Sequence, residues 1–168
     1  MEDIEWRHLY EVLNEFGDRF IELARENLDN NGTNASRTLY QSFEKIIEIG
    51  EDSFSVKISL ADYWSYVENG RGPGKYPPRD KIREWIEMKP VPIEPGMNGK
   101  TPSVESVAFL ISRKIATEGT EAQPFFEPAK EQAISEFEDR ISQAISDDVM
   151  EFIVELVEKG MNKAFGGK

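Results

Sequence analysis

Lys45-Ile-Ile-Glu-Ile-Gly50 and Ser53-Phe-Ser-Val-Lys-Ile-Ser-Leu60 stand on either side of Glu51-Asp52. In the second stretch Phe54, Val56, Ile58 and Leu60 alternate with Ser55, Lys57 and Ser59. That period of two puts one face in the interior and one in water. Two such runs around a short turn predict a β-hairpin. Two strands alone are barely stable, which leaves room for a further strand from this chain or another. Every other long segment repeats at three and four residues. The expected fold class is therefore α+β: a long N-terminal helix, a central hairpin, short helices and a long C-terminal helical segment.

Toward the N-terminus, Trp6, Leu9, Leu13, Phe16, Phe20 and Leu23 form a helical apolar stripe. Its spacing is heptad-like but too short for a coiled coil, so it reads as a helix lying on the core. Asp29-Asn-Asn-Gly-Thr-Asn34 stops it, because Gly32 and the asparagines accept left-handed angles. The same residues do not make a calcium loop: Gly32 is misplaced, and Tyr40 stands where a bidentate Glu belongs. Ala35 to Phe43 reads as a short helical turn leading into the first strand.

Toward the C-terminus, Ala61 to Asn69 reads as a short helix stopped by Gly70. Arg71-Gly-Pro-Gly-Lys-Tyr-Pro-Pro-Arg79 follows, a basic loop whose glycines and prolines fix its shape. A helix over Arg79–Met88 buries Ile82, Trp85 and Ile86. Lys89 to Lys100 holds three prolines and two glycines and cannot be regular. Thr101-Pro102 reads as the cap and first turn of a helix facing the core through Val104, Val107, Ala108, Ile111 and Ile115, ended by Gly119. From Phe126 the pattern is helical nearly to Gly160, with a possible second start at Ser146-Asp-Asp148, which carries a cap signal. Residues 1–160 are expected to make one domain with a Pro/Gly-rich excursion at 70–101, and 161–168 a fraying tail.

The 168 residues carry a net charge of −12 and no cysteine. Such acidity disfavours general nucleic-acid binding and suits a wall past which DNA slides without sticking. Disulfides and thiolate metal sites are excluded. No apolar run is long enough for a membrane span, and the acidic start is unlike a signal peptide, so neither membrane association nor secretion is expected. The sequons at Asn31 and Asn34 then read as chance. Charge is segregated: Glu127 to Lys159 holds ten acids and three bases, Arg71 to Lys100 seven bases and four acids. That pattern suits subunits that meet head-to-tail.

Catalytic sets are missing from the sequence. The one histidine, His8, reads as a lone surface or interface residue, so no nucleophile–base set can be built. Gly70-Arg-Gly-Pro-Gly-Lys75 has proline where a phosphate cradle needs N–H groups. No enzyme activity, cofactor or metal is expected. Arg71, Lys75, Arg79, Lys81 and Arg83, interleaved with Tyr76 and Trp85, could meet DNA phosphates. The acidic face of a neighbouring subunit is the better match for a protein this acidic.

Four stretches, in this order, resemble the tail-component family of tailed phages and prophages: small neck proteins that join head to tail or complete the tail. They are the N-terminal amphipathic helix, Asn34-Ala-Ser-Arg-Thr-Leu-Tyr-Gln-Ser42, Tyr63-Trp-Ser-Tyr-Val-Glu-Asn-Gly70 and Ala122-Gln-Pro-Phe-Phe-Glu-Pro-Ala129. The third is similar to the family's Tyr, two residues, Tyr-Val-Glu, one residue, Gly signature, and the fourth to its Gln-Pro-Phe, Pro-Ala signature. Each motif is short; their order and spacing make the joint match specific. The insert from Arg71 to Thr101 is like that of versions from gut Bacteroidetes phages. The resemblance implies a non-enzymatic α+β virion subunit, present in the host cytoplasm during assembly. It implies a ring, often of six or twelve copies, around DNA that is not read by sequence, with neighbouring neck or tail proteins as partners. Tyr63, Tyr66, Glu68, Arg71, Lys75, Tyr76, Arg79, Met97, Gln123 and Phe125 are the expected subunit-interface residues. A DNA-binding accessory protein using the 71–83 loop, and a carboxylate metalloenzyme, are the rival readings.

Overall fold

The computed structural model describes residues 4–32, 37–50, 53–88, 93, 95 and 99–165. The chain is α+β. Its elements are α1 (Arg7–Asn30), α2 (Thr38–Gln41), β1 (Glu44–Ile49), β2 (Phe54–Ser59), α3 (Trp64–Asn69), α4 (Arg79–Met88), α5 (Val104–Glu118) and α6 (Phe126–Phe165). No helix among the described residues is long and apolar enough to cross a membrane. The chain divides into two compact units.

The first unit contains residues 1–23, the hairpin 44–59, and the chain from 129 onward. Leu9, Leu13, Phe20 and Leu23 of α1 are buried, as their spacing predicts, with Ala129, Ala133, Phe137 and Ala144 of α6. Phe16 meets Phe137 edge-on at 5.8 Å, a geometry favoured by the ring quadrupoles. Ion pairs Arg19–Glu136 and Arg140–Glu15 flank that contact. The hairpin is antiparallel, with Ile47 opposite Val56 and Ile49 opposite Phe54. It approaches α1 at Gly17, where a Cβ would sit 3.0 Å from the Lys45 side chain and 3.3 Å from Val56. Glycine costs a helix about 1 kcal/mol relative to alanine; here it makes room for the strands.

The hairpin is as expected: among the described residues the sheet has two strands. Two expectations change in this unit. Phe54 is exposed, whereas Val56 and Ile58 are half-buried. A short ribbon covered by one helix leaves its turn end uncovered. In addition, α6 is one unbroken helix that runs past Gly160 to Phe165. Ser146-Asp-Asp148 does not start a second helix.

The second unit contains residues 24–43 and 60–128. Its buried residues include Leu28, Leu39, Phe43, Ile86, Ala108 and Phe125. Phe125 meets Phe43 at 6.3 Å and Phe126 at 6.4 Å, both edge-on, and Trp64 lies 5.0 Å from Phe126. Helix α5 starts two residues later than Thr101-Pro102 suggests: Ser103 is the N-cap, and its Oγ accepts the Ser106 N–H. The predicted α5 stripe is buried at Ala108 and half-buried at its other members, and the most deeply buried residue of the helix is Ser112, whose hydroxyl donates to the Pro77 carbonyl at 3.1 Å.

The basic loop is pinned at several points. Arg71 and Thr120 exchange backbone hydrogen bonds, Gly74 N–H donates to Ala116 O, and the Arg71 guanidinium donates to Lys75 O. A loop held at both ends and in the middle presents its side chains in a set arrangement.

Candidate functional site

Among the candidate site residues, Glu68 and Phe125 are joined directly, and Gln123 bonds to Val67 beside Glu68. Helix α3 ends one residue after Glu68, at Asn69, and the next residue, Gly70, with φ of 69°, turns the chain sharply. Glu68 lies on the inner side of this short helix and is only 8% exposed. One of its carboxylate oxygens, Oε2, accepts the N–H of Phe125 at 2.7 Å and of Phe126 at 2.8 Å; Oε1 accepts that of Glu127 at 3.0 Å. These are N–H groups at the first turn of α6, which have no partner inside their own helix. A carboxylate is a strong acceptor for them and matches the positive end of the helix dipole. The Gln123 N–H donates to Val67 O. A Cβ on Gly70 would come within 2.7 Å of the Ala122 nitrogen. The aromatic-glycine stretch and the Gln-Pro-Phe stretch are therefore two halves of one packed junction.

The N-terminal helix reaches the same junction, and the stretch before the hairpin is tied to that helix by Arg25, which donates to the Tyr40 carbonyl at 2.9 Å. Asn27 of α1 donates to the Phe125 carbonyl at 3.1 Å. Ser42 accepts the Ala61 N–H at 3.0 Å and donates to Leu39 O.

Two expected interface residues are corrected by this geometry. Glu68 and the fully buried Phe125 face the interior and present no side chain to a neighbour. Gln123 and Arg71 are half-buried. Tyr63, Tyr66, Lys75, Tyr76 and Arg79 are exposed, Tyr66 the most so of the tyrosines at 61%. Met97 lies outside the described residues. Beside these, the second unit shows a surface that the sequence did not single out. Phe109 and Leu110 of α5 are exposed, with the Arg79 guanidinium 4.8 Å from the Phe109 ring. Arg113 and Lys114, three and four residues on from Leu110, share its face.

No family model matches the chain, and no curated protein or solved structure is similar to it.

His8 is not the lone histidine expected. Its Nδ1 lies 2.8 Å from Asp148 Oδ1, and its Nε2 3.8 Å from Glu151. Asp148 is 1% exposed. It accepts the backbone N–H of His8 at 3.0 Å and of Leu9 at 2.9 Å. The cap signal at Ser146-Asp-Asp148 is thus a real cap, but for the start of α1. Burial pushes the Asp148 carboxyl up, yet the Leu9 and His8 donors outweigh it and hold the group below its ordinary value. The hydrogen bond to Asp148 raises the His8 ring above its ordinary value.

His8, Asp148 and Glu151 are close enough to share a cation. Their chemistry does not favour one. Both Asp148 oxygens already accept N–H groups, and the Arg7 guanidinium holds Glu151 at 3.0 Å. A cation there would release the first turn of α1 and sit beside a fixed positive charge. The arrangement is a titratable helix cap. One hundred and forty residues separate its partners, so no local sequence signal could have revealed it.

Proposed function

We propose that the chain is a non-catalytic structural subunit of a tailed-phage or prophage virion, assembling as a ring at the neck where head and tail join or the tail is completed. The observation that carries this reading is the junction at Glu68. Three of the four stretches that resemble the tail-component family meet there through hydrogen bonds of Asn27, Glu68 and Gln123, and the remaining one is tied to the same N-terminal helix through Arg25 and the Tyr40 carbonyl. A likeness spread over short motifs is more telling when those motifs make one structural unit than when they lie scattered. The net charge of −12 also suits a lumen that lets DNA pass.

The test is mass in solution by light scattering across a wide concentration range, with negative-stain images of the same samples. Closed rings with an opening wide enough for duplex DNA are expected. A strict monomer that binds duplex DNA in a salt-sensitive way would replace this reading with that of a DNA-binding accessory protein.

A further inference from the structure

The apolar face of α6 changes sides along its length. Up to Phe152 the inward series is Phe137, Ile141, Ala144, Asp148 and Phe152, all buried or half-buried. Continuing it by three and four residues gives Glu155, Leu156 and Lys159, all exposed. The chain no longer covers this face. Meanwhile Met150, Ile153, Val154, Val157 and Met161 fall on the other side of the helix, each 45% exposed or more. Five large apolar side chains in one stripe are not the scatter of single exposed hydrophobes found on any surface. Glu151 and Glu158 border the stripe. Its upstream end opens on a shallow groove lined by Arg7, His8, Met150, Glu151 and Val154.

We infer that this stripe, Met150 to Met161, docks on the α5 face of a second copy of the chain, where Phe109 and Leu110 are exposed among Arg79, Arg113 and Lys114. The argument is complementarity of both kinds. Each surface has an exposed apolar centre; one rim is acidic, and the other carries Arg79, Arg113 and Lys114, the last 3.9 Å from Glu118, with Glu105 one turn before Phe109. Two α6 stripes facing each other would place acidic rims together, and an anionic membrane would repel Glu151 and Glu158. The contact is heterologous, because different patches of the two copies meet. Repeated, it generates a closed ring or an open chain. The inference rests on the ring reading above and names the surfaces that would build it.

The absence of native cysteine makes the test direct. Val157→Cys and Leu110→Cys both alter exposed side chains, so folding is preserved, and circular dichroism of each variant checks this. The two variants are mixed at high concentration and oxidised. The expected result is a disulfide-linked heterodimer of the mixed chains, with at least tenfold less product from either variant alone. Reversing Glu151 and Glu158 to Lys in the Val157→Cys chain should abolish it. Adding Arg79→Glu and Arg113→Glu to the Leu110→Cys chain should restore it. Self-linking of Val157→Cys as the main product would overturn the inference in favour of paired α6 stripes. Closed rings without the mixed product would also overturn it and leave the neck reading standing. The mixed product in open chains without closed rings would keep the interface and overturn the neck ring. A monomer at all concentrations, with no mixed product, would overturn the inference.

Discussion

Glu68, at the end of the short helix α3, accepts the backbone N–H of Phe125 at 2.7 Å, across 57 residues of intervening chain. It then accepts two more N–H groups, so one carboxylate closes the open start of a helix forty residues long. Asp148 does the same for α1 with the N–H groups of His8 and Leu9. Both long helices are capped by acids from elsewhere in the chain.

Glu68→Ala should cost about 3 kcal/mol, since it removes hydrogen bonds to a charged acceptor and leaves buried N–H groups unpaired. Glu68→Gln should cost about half as much, because one amide oxygen can still accept. Urea unfolding followed by circular dichroism measures both. A loss below about 1 kcal/mol for the alanine variant would mean that water replaces the carboxylate.

Asp148→Ala should cost about 2 kcal/mol through the lost cap, and the pH dependence carries a second signature. Asp148 is held below its ordinary value, so its contribution is present above that value and fades as pH falls through the lowered one. His8 is raised above 6.5, so its contribution is full below 6.5 and is lost as pH rises through the raised value. Stability from the pair is therefore greatest between the two limits. In His8→Gln, thermal melts between pH 6 and pH 8.5 should show a flatter dependence than in the parent protein. An unchanged slope would show that His8 is not linked to folding.

Gly119 and Gly32 both have positive φ, at 82° and 65°, but they should not respond alike to alanine. At Gly32 no atom would meet the new Cβ, so the cost is the backbone conformation alone, about 1 kcal/mol. At Gly119 the Cβ would overlap the backbone of Arg71 and Gly72. There the bridge between Arg71 and Thr120 must open, and the cost should exceed about 2 kcal/mol. Equal losses in chemical denaturation would contradict the close approach.

Val154→Ser and Val157→Ser should leave unfolding free energy within about 0.5 kcal/mol of the parent, because both side chains are exposed. Calorimetry on dilute samples measures this. A large loss would mean that the stripe already packs within its own chain.

The sequence by itself determined the elements. Leu9, Leu13, Phe20 and Leu23 are buried at their helical spacing, and the 45–60 stretch pairs as a hairpin. Periodicity reports the face that each element buries, and glycine reports where the backbone must turn, as at Gly32, Gly70 and Gly119. These are local properties, so a linear reading recovers them. Tertiary structure alone decided what the acids do. Glu68 read as an interface residue and Asp148 as the start of a second helix; both are buried caps for distant helix starts. Nothing local separates them from the acids that remain solvated, because a carboxylate's role depends on which N–H groups the fold brings within reach. The same holds for His8, whose partner lies 140 residues away. In α6, apolar spacing at three and four residues continues through Val154 and Val157 whether or not the chain itself covers them. Only the packed structure separates the stretch that the chain buries from the stretch that it leaves exposed.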